Sequence, residues 1–134
     1  MLKRNEEGEI VFSKAKWHPT GTITCMVTDA MDDLVIPFSA DPEDPEEVGR
    51  ELFSMLSTKY AEQVAPCTDS EKFEWYARIV RMERDDLLIN TDWTQLPDVP
   101  ESTKTKWGAY RQALRDISKQ AGFPDEVTWP DAPA

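Results

Sequence analysis

The chain holds a single histidine, His18, and two cysteines, Cys25 and Cys67. A hydrolytic triad needs a base beside its nucleophile. His18 stands in the turn sequence "HPTG" (18–21), and no spacing brings it to either thiol. The cysteines also lack metal-ligand spacing. Among the 26 acids, the dense run "DPEDPEE" (41–47) resembles a cation loop. It lacks the alternating ligands and central glycine of a calcium loop, and reads better as a helix start. No phosphate loop or dinucleotide fingerprint is present. The expectation is a non-enzyme with no catalytic residue, metal site or cofactor.

The charge balance narrows the partners. The formal net charge of −11 opposes electrostatic binding to nucleic acid or anionic membrane, so neither is expected as a partner. Residues 1–70 carry 14 acids and 6 bases, a net of −8; residues 71–134 carry 12 acids and 9 bases, a net of −3. The excess is concentrated in "DAMDDLVIPFSADPEDPEEVGRE" (29–51), a solubilising face or a docking surface for a basic partner. No run approaches the ~20 apolar residues of a membrane span. "MLKRNEEGEIVF" does not read as a secretory signal, so reduced thiols and a cytoplasmic setting are expected.

Positioning elements follow from periodicity and punctuation. "EIVFS" (9–13) and "TITCMVT" (22–28) read as strands, the second half-buried through Ile23, Cys25 and Val27. "DLVIPF" (33–38) reads as a third, at the edge because Pro37 cannot donate to a ladder. "DPEE" (44–47) predicts a helix with Asp44 as cap, Pro45 at the first position and Glu47 closing a capping box. Its seam is Val48, Leu52, Met55 or Leu56, and Tyr60, fading near "VAPC" (64–67). "TDSE" (68–71) predicts a second box, with Phe73, Tyr76, Val80 and Leu87 as the seam, a Glu74–Arg78 pair, and an end near Ile89 or Asn90. Trp107, Tyr110, Leu114 and Ile117 predict a third helix capped by Ser102 or Asp98, stopped at "QAG" (120–122). The fold class expected is α+β: a small antiparallel N-terminal sheet with one helix (1–67), then an αα-hairpin with an extended proline-rich tail (68–134).

The segment "RDDLLINTDWTQLPDVP…WGAYRQALRDISKQAGFPDEVTWP" (84–130) resembles the C-terminal module of tailed-phage tail assembly chaperones and tail fibre assembly proteins. The resemblance rests on Arg84, Leu87 and Leu88, then on Thr91, Asp92, Trp93, Thr94, Gln95, Leu96, Pro97 and Asp98. It continues through Trp107, Tyr110, Arg111, Gln112, Leu114, Arg115 and Asp116 to Gly122, Phe123, Pro124, Trp129 and Pro130. "PESTKTKW" (100–107) departs from it, because members often carry acids after a serine cap.

The resemblance implies a non-enzymatic role. The expected protein binds a phage tail fibre or tail protein in the host bacterial cytoplasm and assists its folding, trimerisation or attachment. A permanent place at the fibre tip or tail is the alternative. An acidic DNA mimic is a rival from another class, opposed by Lys104, Lys106, Arg111, Arg115 and Lys119 on the last helix. Fibre trimers are built from slow non-local strand pairing with open edges. A strand edge here, Leu34, Val35, Ile36 and Phe38, is the candidate partner-binding segment. Trp93 is expected to plug the mouth of the hairpin beside Trp107, with Trp129 on the other side.

Overall fold

The computed structural model describes residues 1–134. Three strands, β1 (Phe12–Trp17), β2 (Ile23–Thr28) and β3 (Val35–Ala40), form an antiparallel sheet in the order β1-β2-β3. Helices α1 (Glu47–Ser57), α2 (Asp69–Asn90) and α3 (Glu101–Arg115) follow, with short 3-10 turns at Ala61–Gln63, Asp92–Gln95 and Ile117–Lys119. The α+β class expected from the sequence is observed. Two compact units divide the chain, Met1–Glu71 and Lys72–Ala134.

In the first unit, the turn at 18–21 forms as its composition predicts. His18 N–H donates to Thr22 O at 2.9 Å, and Gly21 takes φ +86°, a region open to glycine. The first strand starts later than expected. Asn5 and Gly8 build a turn that folds the leading segment back, so Ile10 pairs with Arg4 instead of opening β1. A register shift between Ser13 and Lys16, with Lys14 at φ +52°, then bends β1.

Ile23, Cys25 and Val27 of β2 and Ala40 of β3 turn inward against Leu52 and Leu56 of α1. Trp17 meets Phe53 edge-on at 5.9 Å, and Phe12 meets Tyr60 at 5.2 Å. The α1 seam is the predicted one, with Val48, Met55 and Tyr60 partly buried beside the two leucines.

Its capping box does not form. The Asp44 carboxylate accepts Glu46 N–H at 2.8 Å, a local turn that competes with capping. The helix therefore begins at Glu47, with no side-chain cap. Gly49 admits this arrangement, because a Cβ there would lie 2.2 Å from Asp44 Oδ2. The end also comes earlier than 64–67: Thr58 donates to Ser54 O at 2.6 Å, and the helix stops at Ser57.

The second box does form. Thr68 N–H donates to Glu71 Oε2 at 2.9 Å, and Glu71 N–H donates to Thr68 Oγ1 at 3.2 Å. α2 runs to Asn90, as its sequence predicts. Its inward stripe differs from the predicted seam. Ala77 is buried, with Val80, Arg84, Leu87 and Leu88 half-buried, while Phe73 and Tyr76 are exposed. Arg78 lies over the Trp75 ring at 5.4 Å instead of pairing with Glu74.

α3 starts after Pro100, whose carbonyl accepts N–H bonds from Thr103 and Lys104, both at 3.0 Å. Neither Ser102 nor Asp98 caps it. Tyr110 and Leu114 are buried on α3, and Ile117 on the 3-10 turn beyond its end. α3 ends at Arg115 and the 3-10 turn at Lys119, so the helix ends earlier than the stop expected at Gly122. A Cβ there would come within 2.5 Å of Glu126 O, in a turn closed by Glu126 N–H to Gly122 O at 2.7 Å.

Candidate functional site

The motif around Trp93 is a lock at the end of α2. Thr91 Oγ1 donates to Leu87 O at 2.8 Å, satisfying a carbonyl that the helix end leaves open. Thr94 Oγ1 donates to Thr91 O at 2.7 Å from a fully buried position. Gln95 Nε2 donates in turn to Thr94 Oγ1 at 2.9 Å. Arg111 reaches across from α3. One terminal nitrogen donates to Leu88 O at 2.6 Å and Thr91 Oγ1 at 2.8 Å; the other pairs with Asp92 Oδ1 at 2.7 Å. Arg111 is only 8% exposed. The structure thus brings Thr91, Asp92, Thr94, Gln95 and Arg111 together as one hydrogen-bonded set.

Trp93 is not the plug that its motif suggests. It is 53% exposed and leans on Trp107, with ring centroids 5.9 Å apart, and Trp107 meets Tyr110 edge-on at 5.6 Å. The fully buried residue is its neighbour Thr94. A tight 3-10 turn sends adjacent side chains in different directions, and the turn spends its inward position on a hydroxyl that has a carbonyl to bond. Leu96 and Pro97 are exposed as well.

Beyond α3, Phe123 and Pro124 are joined by a cis peptide. Pro124 is buried, and Phe123 sits 6.2 Å from the Phe73 ring with Arg81 over its face at 5.5 Å. Gln120 clamps the tail through two 2.8 Å bonds with Thr128, and Trp129 and Pro130 are half-buried.

The candidate partner segment divides by exposure. Leu34 and Val35 are 58% and 51% exposed, while Ile36 and Phe38 pack on the core. Asp29 N–H donates to Leu34 O at 2.8 Å. Alternation along an antiparallel ladder therefore points the backbone groups of Val35, Pro37 and Ser39 to the free edge of β3. Pro37 offers no N–H there. The opposite edge is partly covered: Trp17 N–H donates to Ala65 O, and Ala65 N–H to Ala15 O, both at 2.9 Å. β3 is the more open edge, and exposed Met31 adds to its apolar end.

The acidic stretch builds turns. Asp29, Asp32, Asp41 and Asp44 each accept the N–H two residues on, at 2.8, 3.1, 2.8 and 2.8 Å. Glu51 takes both terminal nitrogens of Arg4, at 2.5 and 2.7 Å. Cys25 is buried, and burial raises its thiol to about 11. Cys67 is half-buried and free, and His18 Nδ1 lies 2.7 Å from Thr20 Oγ1. No helix is long and apolar enough to cross a membrane.

Exposed apolar side chains in the second unit include Ile79, Met82 and Ile89 on α2, with Trp93 and Leu96 after it. Sequence reading missed this set, because it took the periodicity of α2 as a single inward seam. No curated protein and no solved structure matches the chain. Residues 77–134, most of the second unit, match the model of the phage tail assembly chaperone protein family.

Proposed function

We propose that the protein is a phage tail or tail fibre assembly chaperone. It binds a tail or fibre protein in the host bacterial cytoplasm and assists its folding, trimerisation or attachment without catalysing a reaction. The match of residues 77–134 to the tail assembly chaperone family carries this reading. The free β3 edge supports it: Leu34 and Val35 supply exposed apolar contacts, and backbone groups stand open to an incoming strand. Such a contact would shield the unpaired edges through which fibre intermediates aggregate. The acidic surface would keep the complex soluble, and neither nucleic acid nor membrane is a partner in this reading.

Co-expression with the tail or fibre protein encoded nearby tests it. Soluble yield of that protein should rise, and a pull-down should recover both chains. Equal yield and equal trimer formation without this chain would refute the reading. Its presence in purified particles would identify a permanent component instead.

A further inference from the structure

We propose that the free edge of β3 pairs with a strand that is apolar in its middle and basic at both ends. That this strand belongs to a tail or fibre protein rests on the chaperone function. Val35, Pro37 and Ser39 turn their backbone groups to the edge. The run from Val35 to Ser39 spans about 13 Å at ~3.3 Å per residue, so about five partner residues make the ladder. The partner residue set against Pro37 lies on the same sheet face as Pro37, away from α1. A groove of about 410 Å³ opens on that face, lined by Thr24, Met26, Pro37 and Ser39. Lys14 lines it as well, so a cation does not belong in the middle of the strand, and a valine, isoleucine or threonine does. Main-chain bonds supply the affinity and the groove the choice of side chain.

Charge decides the ends. Residues 29–49 contain eight acids and no base. The N-terminus takes Asp29, and Lys3 takes Asp33. Asp32 before β3, and Asp41 and Glu43 after it, have no ion pair. Asp32 and Asp41 each accept a backbone N–H, which leaves their charge in place. A strand on this edge therefore ends beside free carboxylates on both sides, and a cation at each end completes the match. The same features exclude a second copy. An antiparallel pair that keeps Val35, Pro37 and Ser39 in the ladder sets Pro37 against Pro37, with no N–H on either side. It also brings Asp32 toward Asp41 and Glu43 of the second copy, which is repulsive.

The probe is a blocked peptide of alternating valine and threonine with lysine at each end, compared with its glutamate-ended counterpart. Titrated into the isotope-labelled full chain, the lysine-ended peptide should shift the Val35 and Ser39 amides. It should bind at least tenfold more tightly than the glutamate-ended one, with the advantage shrinking as salt rises. Ser39→Pro removes an N–H that the sheet does not use, so circular dichroism should stay unchanged while peptide affinity falls at least tenfold. No shift at Val35 and Ser39, or equal affinity for the two peptides, would overturn the proposal. So would a dimer in sedimentation equilibrium that Ser39→Pro dissolves, because the edge would then belong to a second copy. Tail-protein capture separates the two readings. Capture that Ser39→Pro leaves intact removes the edge and keeps the chaperone function. Peptide binding by a chain that captures no tail protein keeps the edge and removes that function.

Discussion

Removing the Arg111 guanidinium is expected to destabilise the second unit by ~2–4 kcal/mol. Two of its contacts, to Leu88 O and Thr91 Oγ1, are charge-assisted bonds made at a residue only 8% exposed. Each such bond contributes roughly 1.5–3 kcal/mol net, together about 3–6. Part of this is offset, because Arg111 Nε is buried without a partner, a cost of about 1–3 kcal/mol. The third contact adds little. Asp92 is 64% exposed, and an ion pair so open to solvent contributes about 0–1 kcal/mol.

Arg111→Met keeps the stem and deletes the fork, so it isolates these bonds. Arg111→Lys should fall between, since one ammonium cannot reproduce the planar fork. Asp92→Asn should cost no more than about 1 kcal/mol. Urea unfolding followed by circular dichroism reads all three. A domain of this size loses about 4–8 °C in melting temperature per kcal/mol, so thermal scans give a second measure. An Arg111→Met variant within 1 kcal/mol of wild type would refute the argument. So would an Asp92→Asn variant as damaged as Arg111→Met, because the exposed ion pair would then be the main contact.

Hydrogen bonds from Lys59 and then Tyr60 hold the Glu9 carboxyl at about 2, against an ordinary 4.5, and Lys16 and then Thr68 do the same for Glu71. Folded values below the unfolded ones mean that this stabilisation is complete above about pH 4.5 and fades as pH falls toward 2. Glu9→Gln with Glu71→Gln should flatten stability against pH in that window, and an unchanged slope in urea titrations would contradict it. In the native protein a thiol reagent should label Cys67 rapidly and Cys25 only after unfolding; fast labelling of both would mean that the sheet opens readily. Trp93→Ala should cost roughly 0.5–1.5 kcal/mol, the worth of an aromatic pair, and a loss of ~3–5 kcal/mol would restore the plug. Val35→Asp should leave the melt intact and reduce tail-protein capture, whereas Phe38→Asp should prevent folding; a Val35→Asp variant that captures normally would remove the β3 edge from the proposed interface.

Much of the fold is written in short-range chemistry. The Thr68–Glu71 box and the Gly21 turn need only neighbours in sequence, and each forms where its residues predict. The failures are competitions between local options. Asp44 had two acceptable uses, as a helix cap or as a turn acceptor for Glu46 N–H. The turn won, with Gly49 leaving room for the carboxylate. The residues resembling a family motif were legible as a group, but their roles were not. Thr91 and Arg111 are 20 positions apart, and only the fold shows that one hydroxyl receives a guanidinium while capping α2.

Exposure is the property that sequence pattern conveys least. Phe73 and Trp93 looked like core because they are large and regularly spaced, yet burial depends on what lies opposite. Across α2 the inward stripe is centred on small Ala77, while large side chains turn outward at Ile79, Met82 and Ile89. A lone solvated helix gains nothing from such an outer face, since each of these side chains, once covered, would contribute about 1.5–3 kcal/mol. The same accounting applies to Leu34 and Val35 on the open sheet edge. The two apolar surfaces differ in geometry, a strand edge in one unit and a helix face in the other. Under the proposed reading an extended segment of the tail protein suits the strand edge, which is why Val35→Asp, and no substitution on α2, tests it.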